Sequence, residues 1–200
     1  GYSRRAVMRL AEVIVFLGGE LPADVTQLEW DAVLARALIV LSRAQITRLA
    51  LEDGARTAER ALTLAQAMLE HEGVRLRHRK LAVRTTMNAA RANAREGDQA
   101  RAKSLAEQAL ADAKLLLGEA PDDLTLRSLH VESVRALGWT EQYGGGHARA
   151  APLLAAIRPE ASALVDLRPD NFRWRRVHMD VLVTYGESLS GKQLAYWLGR

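Results

Sequence analysis

Residues 121–138 read PDDLTLRSLHVESVRALG, and residues 169–186 read PDNFRWRRVHMDVLVTYG, 48 positions later (169 − 121). Five residues recur in register: Pro121/Pro169, Asp122/Asp170, Arg127/Arg175, His130/His178 and Gly138/Gly186. The apolar spacing recurs with them, because Leu124, Leu129, Val134 and Leu137 are answered by Phe172, Val177, Leu182 and Tyr185. A further copy, PADVTQLEWDAVLARAL at 22–38, lies 99 positions upstream (121 − 22). There Pro22, Asp24, Thr26, Arg36, Ala37 and Leu38 match Pro121, Asp123, Thr125, Arg135, Ala136 and Leu137. Self-similarity at a fixed spacing of tens of residues marks a stacked repeat architecture. It says how the chain is built and names no ligand.

Composition agrees. The chain has 200 residues, 48% hydrophobic and 26% charged, which suits a folded chain rather than a disordered one. Ala, Leu, Arg and Glu dominate and β-branched and aromatic residues are sparse, so helix is favoured throughout. There is no cysteine, which excludes disulfides and thiolate metal sites. The net charge of +4 is carried largely by arginine and suits an acidic peptide, nucleic acid or acidic lipid partner. It is equally the mark of a genome that prefers Arg to Lys. The longest apolar run, AEVIVFLGG from Ala11, is too short for a span of ~20 residues. Any membrane association is therefore expected through parts of a longer protein.

Taken in order, the chain divides into a short helix at 3–17 and hairpins at about 22–71, 73–118, 121–167 and 169–200, forming one domain. The first helix shows Val7, Leu10, Ala11, Ile14 and Leu17 on one face. Pro22 opens the next, with Asp24 or Thr26 as cap, and its stripe of Leu28, Val33, Leu34, Leu38 and Leu41 runs to about Glu52. Asp53-Gly54 reads as a stop, and Thr57 begins the partner. Later turns fall at Glu96-Gly97-Asp98, at Gly144-Gly145-Gly146 and near Ser190-Gly191. Small residues at Ala102, Ala106 and Ala109, and at Ala151 and Ala155 before a break at Pro159, let paired helices approach closely.

That small-residue rhythm with a following proline resembles the second helix of a tetratricopeptide (TPR) repeat, here about two turns longer per helix than the usual repeat of ~34 residues. The segment from Trp174 through Gly186-Glu187 resembles the first helix. The resemblance implies an all-α, TPR-like right-handed superhelix of about four long antiparallel hairpins, serving as a protein-binding scaffold or sensor. Phe16, Gly19-Glu20-Leu21 and Asp31-Ala32-Val33 resemble the segment that opens the TPR region of large bacterial signalling proteins such as transmembrane serine/threonine kinases. That likeness implies a signalling module and leans toward a periplasmic location. No kinase motif is present, so no kinase activity is implied.

Catalytic apparatus is not expected. Residues 186–193, GESLSGKQ, have the glycine and lysine spacing of a phosphate-binding loop. Gln193 stands where Ser or Thr must hold magnesium, and a helix is expected where a strand should precede. The five histidines His71, His78, His130, His147 and His178 lack the tight spacing of a zinc site, so no metal or cofactor is expected. The best binding signal is the helix at 74–95. Beside its apolar stripe of Leu76, Val83, Met87, Ala90 and Ala94 stand Arg77, Lys80, Arg84, Asn88 and Arg91, at steps of three and four. By the TPR resemblance this face would line the concave surface and hold a protein or peptide ligand, acidic in character, with Arg127 and Arg175 extending it. The plain alternative is a solvated polar face. A basic solenoid binding nucleic acid is the other, and interleaved Glu52, Asp53, Glu59, Glu70 and Glu72 speak against it.

Overall fold

Helix starts repeat along this chain as regularly as its sequence. A computed structural model describes residues 4–19, 22 and 24–198, with side chains described except at 4–7, 10, 17 and 190–198. The helices are α1 (Arg4–Leu17), α2 (Gln27–Thr47), α3 (Leu51–Leu69), α4 (Leu76–Glu96), α5 (Gln99–Glu119), α6 (Leu124–Tyr143), α7 (His147–Leu167) and α8 (Phe172–Leu198). No strand occurs among the described residues.

From α4 to α6 to α8 the first residue advances by 48 each time (124 − 76, 172 − 124), as it does from α3 to α5 to α7 (99 − 51, 147 − 99). The turns keep step. Leu49, Gly97 and Gly145 all have positive φ, at 65°, 117° and 79°. Two periods are therefore 96 residues, and the 99-residue match between Pro22 and Pro121 is displaced by three from the structural register. On the second helix of each pair the buried positions repeat as Gly54/Ala102/Ala150, Ala58/Ala106/Leu154, Ala61/Ala109/Ile157 and Ala65/Ala113/Ala161. That i, i+4, i+7, i+11 stripe is one helix face.

Several local expectations are corrected. α2 ends at Thr47 and α3 begins at Leu51, so Gly54 is inside a helix. It marks a close approach: a Cβ there would fall 2.6 Å from Ile46 Cγ1. Thr26 caps α2, its hydroxyl accepting Glu29 N–H at 3.3 Å. Pro159 does not break α7, which carries both Pro152 and Pro159 inside it, and Ala150 and Leu154 rather than Ala151 and Ala155 lie on the shared stripe. Both prolines are exposed, where the ring meets solvent rather than a packed neighbour. α8 continues as one helix to Leu198, so there is no turn near Ser190-Gly191 and no fourth hairpin among the described residues. Leu76 and Val33 are exposed, not core. Ala11 of the α1 face is also exposed while Ile14 is buried; Val7, Leu10 and Leu17 lie outside the described side chains.

The chain forms two compact units, Gly1–Leu105 and Ala106–Arg200, the division falling within α5. In the first, α2 packs on α1, α3 and α4, and α3 on α4. Leu28, Leu38, Ile39, Ala61, Ala65, Met68 and Leu81 form a core cluster there. In the second, α7 packs between α6 and α8, and Val131, Val134, Ile157, Ala161, Leu164, Trp174, Val177 and Val181 form the core.

Candidate functional site

α4 is buried over most of its circumference, and Arg77, Lys80, Arg84, Arg91 and Arg95 emerge along one edge, with Arg79 on another face. Glu96 is the one acidic residue of the helix. The start of α4 is anchored by His78, which is fully buried. Its Nδ1 accepts Arg75 N–H at 3.1 Å, and its Nε2 lies 3.2 Å from Arg77 Nε and 3.3 Å from Glu29 Oε1. The His78 ring thus reaches back to the N-cap N–H as a Glu or Gln does in a capping box, while the Arg75 side chain has no acceptor to complete the other half. Arg77 also pairs with Glu29, and chiefly through that bond holds the Glu29 carboxyl below its ordinary range. Arg77 is committed to the neighbouring helix.

Asn88 departs furthest from expectation. It is 2% exposed and does not open onto any surface. Its Nδ2 donates to Ser42 Oγ at 3.1 Å, and Ser42 Oγ donates to Gly54 O at 2.9 Å. Its Oδ1 accepts Arg43 Nε at 3.0 Å. Through Ser42 and Arg43, this buried amide joins α2, α3 and α4 and ties their packing together. Asn93, a turn and a half further on, donates to Glu59 Oε1 at 2.9 Å, and Arg101 donates to Glu59 Oε2 at 3.1 Å.

Arg84, Arg91 and Lys80 are half-buried on α4. Beside them on α2 stand exposed Arg36 and Arg43, which the sequence reading missed. The 48-residue register pairs Arg36 with Arg84 and Arg43 with Arg91 (84 − 36, 91 − 43). The three-residue displacement of the proline match hid that pairing. The observed Arg43–Asn88 bond sets the α2 arginines against the arginine edge of α4.

In the second unit, Arg127 is turned onto α7, its Nε donating to Glu160 Oε1 at 3.4 Å. His130 Nδ1 lies 3.4 Å from Glu160 Oε2. His130 first, then Arg127, hold the Glu160 carboxyl below its ordinary value. Arg175 is exposed on α8. Neither occupies the register of Arg36 and Arg84: Glu132 and Asp180 do (132 − 84, 180 − 132). Glu132 receives Arg173 at 2.7 Å, and Arg135, its proton affinity lowered by burial, feels both Asp180 and Glu132. At that one register position the charge is basic in α2 and α4 and acidic in α6 and α8, whereas the Lys80 position becomes Ser128 and then Arg176 (128 − 80, 176 − 128).

Residues 186–193 lie within α8, so the glycine–lysine spacing is carried by a helix and forms no phosphate-cradling loop. Among the described residues no cluster of three or more His, Cys, Asp or Glu could hold a metal ion, and no helix is long and apolar enough to cross a membrane. An open groove of about 370 Å³ lies between α2 and α3, lined by Leu34, Leu38, Arg60, Thr63, Leu64 and Ala67. No family model, curated protein or solved structure matches the chain.

Proposed function

We propose that the chain is a non-enzymatic, TPR-like helical-repeat module that holds an acidic peptide segment along the arginine edge of α2 and α4. The observation that carries this reading is the Arg43–Asn88 hydrogen bond, which brings the Arg36/Arg43 pair alongside Arg84/Arg91. Each pair is seven residues, two turns or about 10 Å, apart, a span that suits two carboxylates of one extended segment. Arginine suits the task because its planar fork donates two parallel bonds to one carboxylate. The four arginines sit as two pairs on neighbouring helices of one unit, a patch that suits a short acidic segment rather than a long polyanion, which would need a longer basic track. In this reading the module serves a larger bacterial signalling protein, on the strength of the likeness at Phe16, Gly19-Glu20-Leu21 and Asp31-Ala32-Val33.

The test is binding to an array of short acidic peptides, read by fluorescence anisotropy, with a single-stranded oligonucleotide alongside. Arg84→Ala and Arg36→Ala are expected to weaken peptide binding about 10- to 100-fold, the loss of a charge-assisted bond worth ~1.5–3 kcal/mol. Melting should stay unchanged in Arg36→Ala, because an exposed arginine adds little to folding, whereas half-buried Arg84 is also part of the packing and its variant is compared with Arg36→Ala for that reason. Unchanged peptide binding in both variants would overturn this site. Tighter, steeply salt-dependent oligonucleotide binding would establish the nucleic-acid reading instead.

A further inference from the structure

The seam between α6 and α7 is drawn by a few contacts. Near the start of α6, Arg127 and His130 meet Glu160. Further along, Gly138 leaves a notch filled by Leu154, whose Cγ would lie 2.8 Å from an added Cβ. Beyond that, Glu141 accepts Arg149 Nε at 2.7 Å. Numbers rise along α6 as they fall along α7, so the helices run antiparallel.

Moved on by 48, this seam becomes Arg175, His178, Gly186 and Leu189 of α8. Trp174, Val177 and Val181 of α8 are buried in the core formed with α6 and α7, so the seam positions look outward. Val131 is fully buried, whereas its counterpart Met179 is 57% exposed. At Gly186 an added Cβ would meet nothing within 4 Å. Arg175 is exposed, and so is Leu189. α8 repeats both halves of the recognition surface, the cationic end and the apolar notch, with no helix laid over them among the described residues.

We propose that this outer face of α8 is a docking site for an amphipathic helix of a partner protein. The helix carries a large aliphatic residue and, six positions later, a carboxylate, as Leu154 and Glu160 do. The aliphatic side chain fills the notch at Gly186, and the carboxylate meets Arg175 and His178 as Glu160 meets Arg127 and His130. The face continues an interface the chain already builds, and its charge calls for an acid. A second copy of α8 does not supply that pattern: six residues before Asp180 and Glu187 stand Trp174 and Val181, both buried. Glu187 already accepts Gln142 Nε2 at 3.2 Å. This site is separate from the arginine edge of α2 and α4.

The probe is a fluorescein-labelled peptide with the sequence of residues 147–167, titrated with the full chain. Saturable binding is expected, weakened at least tenfold by Gly186→Val. Melting should be unaffected, because valine there has open space and glycine is already poor in a helix. A peptide with Glu160→Lys should bind the unaltered chain poorly and regain affinity for Arg175→Glu. Arg84→Ala should leave this binding untouched, which separates it from the acidic-peptide site. Absence of binding, or binding indifferent to Gly186→Val and Arg175→Glu, would overturn the proposal. So would self-association abolished by Gly186→Val, which would make a second copy the occupant.

Discussion

Leu49 holds φ at 65° where Gly97 and Gly145 serve in later repeats, and its side chain is 76% exposed. A side chain with a Cβ pays ~1–2 kcal/mol in the left-handed region, and this one recovers little by burial. Leu49→Gly is therefore expected to raise stability by about 1 kcal/mol in thermal or urea unfolding; a loss would show that the exposed leucine packs in solution. Asn88 lies at the other extreme. Asn88→Ala strips buried Ser42 Oγ of a donor and exposed Arg43 Nε of an acceptor, and should lower stability by ~1–3 kcal/mol. If Asn88→Ala melts like the unaltered chain, the buried amide does not hold α2 to α4. Periodicity placed Asn88 on the basic edge because i, i+4 spacing defines a helical stripe without saying which neighbour covers it. Gly54 teaches the same lesson, since a stop glycine and a close-packing glycine look alike in one dimension.

At the scale of elements, the α6–α7 seam makes a pH prediction. Glu160 has a carboxyl depressed below the ordinary value of 4.5 by His130 and then Arg127. A depressed carboxyl stabilises the folded state fully above its unfolded pKa and loses that contribution as pH falls through its folded one. Stability of the unaltered chain should thus decline from about pH 4.5 downward more steeply than that of Glu160→Gln, with urea midpoints as the measurement. Parallel declines would mean the contact is too solvated to count. The contact was legible only as recurrence: Arg127/Arg175 and His130/His178 repeat, and the structure adds the acid that Arg127 and His130 meet. That acid sits on α7, distant in sequence and invisible to a comparison of first helices alone.

For the whole molecule, circular dichroism should be overwhelmingly helical, and more than a trace of strand would contradict the repeat architecture. The register also carries charge: Arg36 and Arg84 give way to Glu132 and Asp180 at one face position. A net charge of +4 hides this reversal, because a sum over the chain discards position.

Period, helix class and most turn positions were determined by the sequence alone, because Gly and Pro act locally and the apolar stripe needs only one helix to show itself. The seven expected site residues were legible as charges at helical steps. Their separation into a paired Arg77, a buried Asn88, an α7-bound Arg127 and exposed Arg175 was decided by tertiary structure. Whether a polar side chain faces solvent or a neighbouring helix depends on residues tens of positions away. The exact offset of α2 was decided there too, since a proline outside a helix can drift by a few residues while the packed stripe cannot slip without burying the wrong face.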